Sequence, residues 1–331
     1  MADVHTNGNH AAQVGGGKET NDDNDRLKKK IVRHYDMSAG QFLKVWGEHI
    51  HHGYFKSPTD TADESQVNQV LLLADLAGIS AGSRVLDIGC GIGGTARFLA
   101  REKGCKVTAI TNSQGQVELA RQLTATEAKK AASTSQPPSS TPKDTDFVQL
   151  PSTSTDSVAG AVRILHLDVD KAREHLGVSL NEKFDCIWMS EVIFHLHTRQ
   201  SCFDTASALL ESGGCFVIAD IFRTAPDPAS APKRVQKELA SIRRNHLCPE
   251  LGTVEEYKQM AEKAGLRLRQ EPKDITKNVA KTWETSVPLS SVLYLITQGR
   301  DAIGYLRGMQ SMKRAYAHDT AMYAVLCFEK P

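Results

Sequence analysis

Short apolar, β-branched runs alternate with amphipathic stretches through the middle of this 331-residue chain, and that alternation restricts the fold more than any other feature. The runs are Arg84–Ile88, Lys106–Thr111, Val162–Leu167, Phe184–Met189 and Cys215–Asp220. Between them the apolar spacing predicts helices over Gly94–Lys103, Ser113–Lys129, Arg199–Leu210 and Lys233–Asn245. Strands separated by helices are joined by crossovers, so the expected class is α/β, a mostly parallel sheet with helices on both faces. Ligands of such sheets lie outside the carboxyl ends of the strands, which directs attention to the residues just after each strand.

The first strand runs directly into a glycine-rich turn, Val85-Leu86-Asp87-Ile88-Gly89-Cys90-Gly91-Ile92-Gly93-Gly94. Glycines there permit a tight turn and let a ligand lie on the backbone beside the positive end of a helix. Such a turn alone also marks dinucleotide-binding proteins and plain tight turns. A nicotinamide-binding unit wants a carboxylate at the end of the next strand for the ribose hydroxyls. That strand ends Ala109-Ile110-Thr111-Asn112-Ser113, without one. Asp87 is instead placed to fix the turn or to meet the ammonium of an amino-acid moiety.

Charge is balanced, with 40 Lys and Arg against 39 Asp and Glu. No global field draws the chain to nucleic acid or to an anionic membrane, and a small-molecule acceptor is the expected partner. No apolar run approaches the roughly 20 residues that span a bilayer, and no leader pattern is seen, so a cytoplasmic location is expected. The seven cysteines contain no CxxC pair, which argues for reduced, buried thiols. Residues 1–25, rich in Gly, Asn, Asp and His, read as a disordered tail. Residues 131–159, mostly Ser, Thr, Pro and Asp, read as a flexible insert.

Several further segments join the glycine turn in a common pattern. They are His34-Tyr35-Asp36-Met37-Ser38, the stretch from Trp46 through His49, His51 and His52 to Phe55, and Ile110-Thr111-Asn112-Ser113-Gln114-Gly115-Gln116. Asp168, Ser190-Glu191-Val192-Ile193-Phe194-His195, Asp274-Ile275-Thr276 through Trp283, and the closing Met322 to Lys330 complete it. With these the chain resembles the class I S-adenosylmethionine-dependent methyltransferases, in particular the small-molecule subgroup around the gamma-tocopherol methyltransferases. The resemblance implies a Rossmann-like sheet of seven strands, the last antiparallel, with N-terminal and C-terminal helical caps. It implies an N-terminal lid over residues 26–66 and a methyltransferase domain over 67–331, in which 222–318 include substrate-cap helices. Helices are predicted there at Thr253–Ala264 and Asn278–Gly308.

The same resemblance implies S-adenosylmethionine as cofactor. Asp87, Gly89 and Gly91 would line its methionine side, Thr111, Asn112 and Gln116 would approach the ribose, and Asp168 with Val169 would sit by the adenine. Ser190 and His52 complete the cofactor set, with His51 or His52 close to the cofactor carboxylate. Asn112 departs from the apolar residue usual at its place. Asp168 also reads as a helix N-cap.

Methyl transfer needs a nucleophile aimed in line at an activated carbon and shielded from water; it needs neither a metal nor a covalent intermediate. His195 follows the fourth expected strand, where the methyl group should point, and its ordinary pKa of about 6.5 suits proton acceptance. A similar Ile-x-His-Leu arrangement in phosphoethanolamine methyltransferases pairs that histidine with an N-terminal tyrosine, and Tyr35 stands at the matching place. Tyr35 and His195 are therefore expected to form a latch over the substrate. The His49, His51, His52 group is not read as a metal site, because adjacent side chains diverge and no acid or thiol falls at ligand spacing. The expected activity is methylation of nitrogen in a specialised metabolite; alternatives are O- or C-methylation, or a non-catalytic cofactor-binding regulator.

Overall fold

The computed structural model describes residues 21–132, 146–152, 158–285 and 300–331. Most of the expected tail and insert, and 286–299 of the expected Asn278–Gly308 helix, lie outside the described residues. The strands are β1 (Arg84–Ile88), β2 (Lys106–Thr111), β3 (Val148–Leu150), β4 (Gly160–His166), β5 (Phe184–Ser190), β6 (Leu210–Arg223), β7 (Arg267–Leu268), β8 (Lys273–Asp274) and β9 (Ala321–Glu329). The helices are α1 (Asn21–Trp46), α2 (Ala62–Ala77), α3 (Gly94–Lys103), α4 (Gln114–Ala132), α5 (Val169–Ala172), α6 (Arg199–Leu209), α7 (Lys233–Asn245), α8 (Val254–Lys263), α9 (Thr276–Val279), α10 (Thr282–Thr285) and α11 (Arg300–Ala317).

One sheet of nine strands has the order β3-β4-β2-β1-β5-β6-β9-β7, with β8 also on β9. The five central strands β4, β2, β1, β5 and β6 are parallel, and β9 runs antiparallel to β6 from Cys215↔Glu329 to Arg223↔Ala321. Because helices cover both faces, the central strands are buried on both sides and read as continuous apolar runs. Val85, Val107, Trp188 and Val217 point into one core, under α2 and α3; Leu86, Ile110, Ile187 and Ile218 point into the other, with α6 and α8. Local signals place the ends. Thr61 with Glu64 and Thr253 with Glu256 form reciprocal capping boxes that start α2 and α8.

Three expectations are corrected. The sheet has nine strands where seven were implied, because β3 adds an antiparallel edge and two short strands, β7 and β8, share the flank of β9. The insert is not wholly linker: Val148↔Val162 pairing seats β3 on β4, and Leu150 is fully buried. The expected tail ends sooner, since α1 already begins at Asn21 with Asp22 and Asp23 in its first turn, where acidic side chains complement the helix dipole. Composition averaged over a window hides three apolar positions or one helical turn. Leu150→Ala is expected to cost about 2–5 kcal/mol, seen as a lower urea midpoint; an unchanged midpoint would reduce β3 to an ornament of the edge.

Candidate active site

The turn after β1 is built on left-handed backbone at Gly89 (φ 74°), Gly91 (φ 55°) and Gly93 (φ 77°). Gly89 N–H and Cys90 N–H both donate to the carbonyl of Ile110, at 2.8 and 3.1 Å, tying the turn to the end of β2. Arg97, fully buried, donates to the Ile92 carbonyl at 2.7 Å and reaches Glu48 Oε2 at 3.2 Å. One guanidinium thus fixes both the turn and the segment that follows α1.

Helix α1 lies across the carboxyl ends of the strands. A side chain at Gly115 would meet the Asp36 carbonyl at 2.7 Å, so α1 rests on the start of α4 without room for a Cβ. Asp36 Oδ1 accepts from Ser113 Oγ at 2.6 Å and from Gly115 N–H at 3.2 Å. At the other end of the helix, Lys28 Nζ reaches Asp168 Oδ2 at 2.8 Å and Asp170 Oδ2 at 2.6 Å. Asp168 caps α5 by accepting from Asp170 N–H.

Beneath α1 is a cavity walled by the glycine turn at Gly89 and Gly91, by Thr111, Asn112 and Gln116, and by Asp168 and Ser190. Tyr35 and His195 line it as well. A smaller adjoining cavity shares Gly89, Gly91 and Ser190 and adds Asp87, His49 and His51. Two residues expected at the cofactor line neither cavity. Val169, the first residue of α5, is buried in the core, while its neighbour Asp168 takes the half-buried capping position. His52 is buried behind Glu191, its Nδ1–H donating to Glu191 Oε1 at 2.9 Å, with its ring edge-on to Trp283. His51, one residue earlier, is the histidine that reaches a cavity wall.

Sequence reasoning passed over Lys28, Ile31, Ile50, Asp170, Glu191 and Val192, all of which line the larger cavity. Glu191 was visible within the motif after β5. Lys28 and Ile31 carry no local signal, because only the docking of α1 brings them to the strand ends.

Tyr35 and His195 are hydrogen-bonded to each other. Tyr35 Oη lies 2.8 Å from His195 Nε2, and His195 Nδ1 lies 3.1 Å from the carbonyl of Leu247. A carbonyl only accepts, so Nδ1 carries the proton and Nε2 receives the Tyr35 hydroxyl hydrogen. Burial holds the His195 pKa down to about 3 and pushes Tyr35 above the ordinary phenol value, so both are neutral in the physiological range. Leu247 (φ 48°) and Glu191 (φ 56°) are non-glycine residues in left-handed backbone on either side of this pair. Such strain is characteristic of functional sites. Phe194 N–H donates to Asp220 Oδ2 at 3.0 Å, anchoring the turn that carries His195.

Asp87 gives the smaller cavity a polar wall. Its Oδ2 is buried without a hydrogen-bond partner among the described residues, and burial raises its pKa to about 7. An orphaned carboxylate oxygen beside two glycines with no side chain is a fitting receptor for an ammonium.

The chain is similar to known proteins over much of its length. The family model for mycolic acid cyclopropane synthetase matches residues 22–137, and that for a methyltransferase domain matches residues 86–216. A sarcosine/dimethylglycine N-methyltransferase of Aphanothece halophytica is 27% identical over 245 residues, 73% of this chain and 74% of that one. The chain is a class I S-adenosylmethionine-dependent small-molecule methyltransferase. Tocopherol O-methyltransferase of Arabidopsis thaliana is 23% identical across 92% of this methyltransferase and 83% of its own length. A cyclopropane synthase from Mycobacterium tuberculosis shares the fold at a TM-score of 0.69 and 17% identity, over 91% of this chain and 98% of that one. Among the described residues no helix is long and apolar enough to cross a membrane.

Proposed function

We propose that this methyltransferase methylates a nitrogen of a small acceptor held between Tyr35, His195 and the glycine turn. Bound S-adenosylmethionine supplies a methyl carbon made electrophilic by its sulfonium. A mycolic acid cyclopropane synthase of the same fold is complexed with SAH, the demethylated product, which supports that cofactor. On this reading Asp87 holds the amino-acid ammonium, Gly89, Gly91 and Ser190 give close backbone approach, Thr111, Asn112 and Gln116 face the ribose, and Asp168 the adenine.

The observation that carries the nitrogen assignment is the hydrogen bonding of the latch, in which both ring nitrogens of His195 are engaged. His195 is a weak base here, with a pKa of about 3, and its free lone pair is already engaged by the Tyr35 hydroxyl. A pair so arranged is poorly equipped to strip a proton from a hydroxyl acceptor, which needs a base matched to the task. An amine bound in its neutral form needs only its lone pair and a fixed direction of approach, and positioning is what a neutral, doubly hydrogen-bonded histidine provides. The sarcosine/dimethylglycine N-methyltransferase relative supports the same reading, while the tocopherol O-methyltransferase relative supports the oxygen alternative.

The test is to incubate the purified protein with methyl-labelled cofactor and fractionated cell extracts, then to locate the label by mass spectrometry and NMR. Label on oxygen or carbon of the native acceptor would overturn the nitrogen assignment.

The lid has its own expected result. Lys28 and its two carboxylate partners are partly exposed, so the clasp contributes modestly, in the range of up to about 1 kcal/mol. Lys28→Met is expected to weaken cofactor binding by up to about fivefold in low salt, with the difference fading as salt is raised. Equal affinities of the two proteins at low salt would remove Lys28 from the closing of α1.

A further inference from the structure

Glu191 differs from its neighbours in how its carboxylate is used. Its side chain is only 14% exposed, and three donors converge on one of its oxygens. His52 N–H reaches Oε1 at 2.6 Å, His52 Nδ1–H at 2.9 Å and the Tyr323 hydroxyl at 2.9 Å. The second oxygen, Oε2, takes no hydrogen bond among the described residues, while the residue lines the larger cavity beside Tyr35 and His195. Three donors saturate Oε1 and fix the side chain, while Oε2 is not sealed in the core and is left open for a ligand. Its left-handed backbone, with Glu191 N–H donating to the Ala219 carbonyl at 2.8 Å, holds the side chain in this one orientation.

We propose that Glu191 is a charge-selecting residue of the acceptor site, with Oε2 facing the acceptor and favouring small amines that are neutral when they attack and become cations on methylation. The proposal deepens the amine reading above and rests on it. In transfer to an amine, the nitrogen lone pair forms the N–C bond as the C–S bond breaks, and that bond's electron pair goes to sulfur. The positive charge moves from sulfur to nitrogen, and no proton moves in that step. A fixed carboxylate beside the nitrogen stabilises the charge as it arrives. The same carboxylate opposes ionisation of a hydroxyl acceptor, because like charges disfavour one another.

The experiment uses the full chain saturated with S-adenosylhomocysteine and titrates it with choline or with 3,3-dimethylbutan-1-ol, which match in shape and differ by one charge. Calorimetry of the native protein should show choline binding tighter by about tenfold or more. In Glu191→Gln, which keeps the size and an acceptor oxygen, the ratio should fall to about two or less, with S-adenosylhomocysteine affinity retained. Tyr323→Phe removes one donor to Oε1 but leaves the charge, and should keep the preference. No preference in the native protein overturns the proposal without recourse to any variant, as does a preference that survives in Glu191→Gln. Location of the methyl group in the native product reports separately on the amine reading. Nitrogen methylation without a choline preference would remove the role of Glu191 alone; a Glu191-dependent preference with methyl on oxygen or carbon would remove the amine reading alone.

Discussion

Gly91→Val is expected to abolish cofactor binding while leaving the sheet folded. Gly91 has φ of 55°, a conformation that a β-branched residue adopts only under strain, and no atom stands closer than Ile50 Cδ1 at 3.7 Å to where its Cβ would be. The new side chain therefore meets open cavity rather than protein, and occupies space the ligand needs. Backbone strain of this kind costs about 1–3 kcal/mol of stability. The affinity loss should exceed about 100-fold, or roughly 2.7 kcal/mol. Gly213→Val separates the two effects, since Gly213 has φ of 77° and no atom within 4 Å of its Cβ position but lies outside both cavities. That variant should lose stability and keep affinity. Calorimetric affinity for S-adenosylhomocysteine within threefold of native in folded Gly91→Val would refute the placement of the cofactor against the turn.

The second large effect is expected at the latch. His195→Ala removes the acceptor that fixes the Tyr35 hydroxyl and leaves the strained Leu247 carbonyl without its donor. Turnover should fall by about 10²-fold, the loss that a misplaced reactant incurs, with cofactor affinity changed by less than about threefold. Tyr35→Phe keeps the ring against His195 and loses the hydroxyl, and should fall by about tenfold. Both variants turning over at the native rate with saturating substrate would dissolve the latch.

The pH behaviour has a definite sign. With its pKa held at about 3, His195 stays neutral from pH 8 down to pH 5, so any fall in turnover over that range should persist in His195→Ala. Loss of that acid limb in the variant would show that His195 titrates within it. For stability, a histidine whose folded pKa lies below its unfolded value of about 6.5 contributes fully above that value. The contribution is lost as pH falls towards 3, at no more than about 1.4 kcal/mol per pH unit. His195→Ala should accordingly unfold less steeply on acidification than the native protein, as read from melting temperature against pH.

The central sheet was legible strand by strand, because its five parallel strands are buried on both faces and so announce themselves as unbroken apolar runs; β1, β2 and α3 have the bounds the sequence predicts, while β6 runs Leu210–Arg223 where Cys215–Asp220 was expected. The glycine turn was equally legible, since left-handed backbone at Gly89 and Gly91 leaves few other residues able to stand there. Tyr35 and His195 were named as partners through a family resemblance, whereas the tautomer that makes His195 an acceptor depends on Leu247, a residue no motif marks. What the sequence did not contain locally was the environment of each ionisable group. The family resemblance puts His52 and Val169 at the cofactor, yet packing turns one against Glu191 and Trp283 and the other into the core. Lys28, Asp170 and Glu191 reach the cavity only because α1 folds across the strand ends and the turn after β5 adopts left-handed backbone. Periodicity reports which face of an element is buried, since burial repeats along the chain; which groups meet at a site depends on contacts between residues such as Tyr35 and His195, 160 positions apart, and is decided by tertiary structure alone.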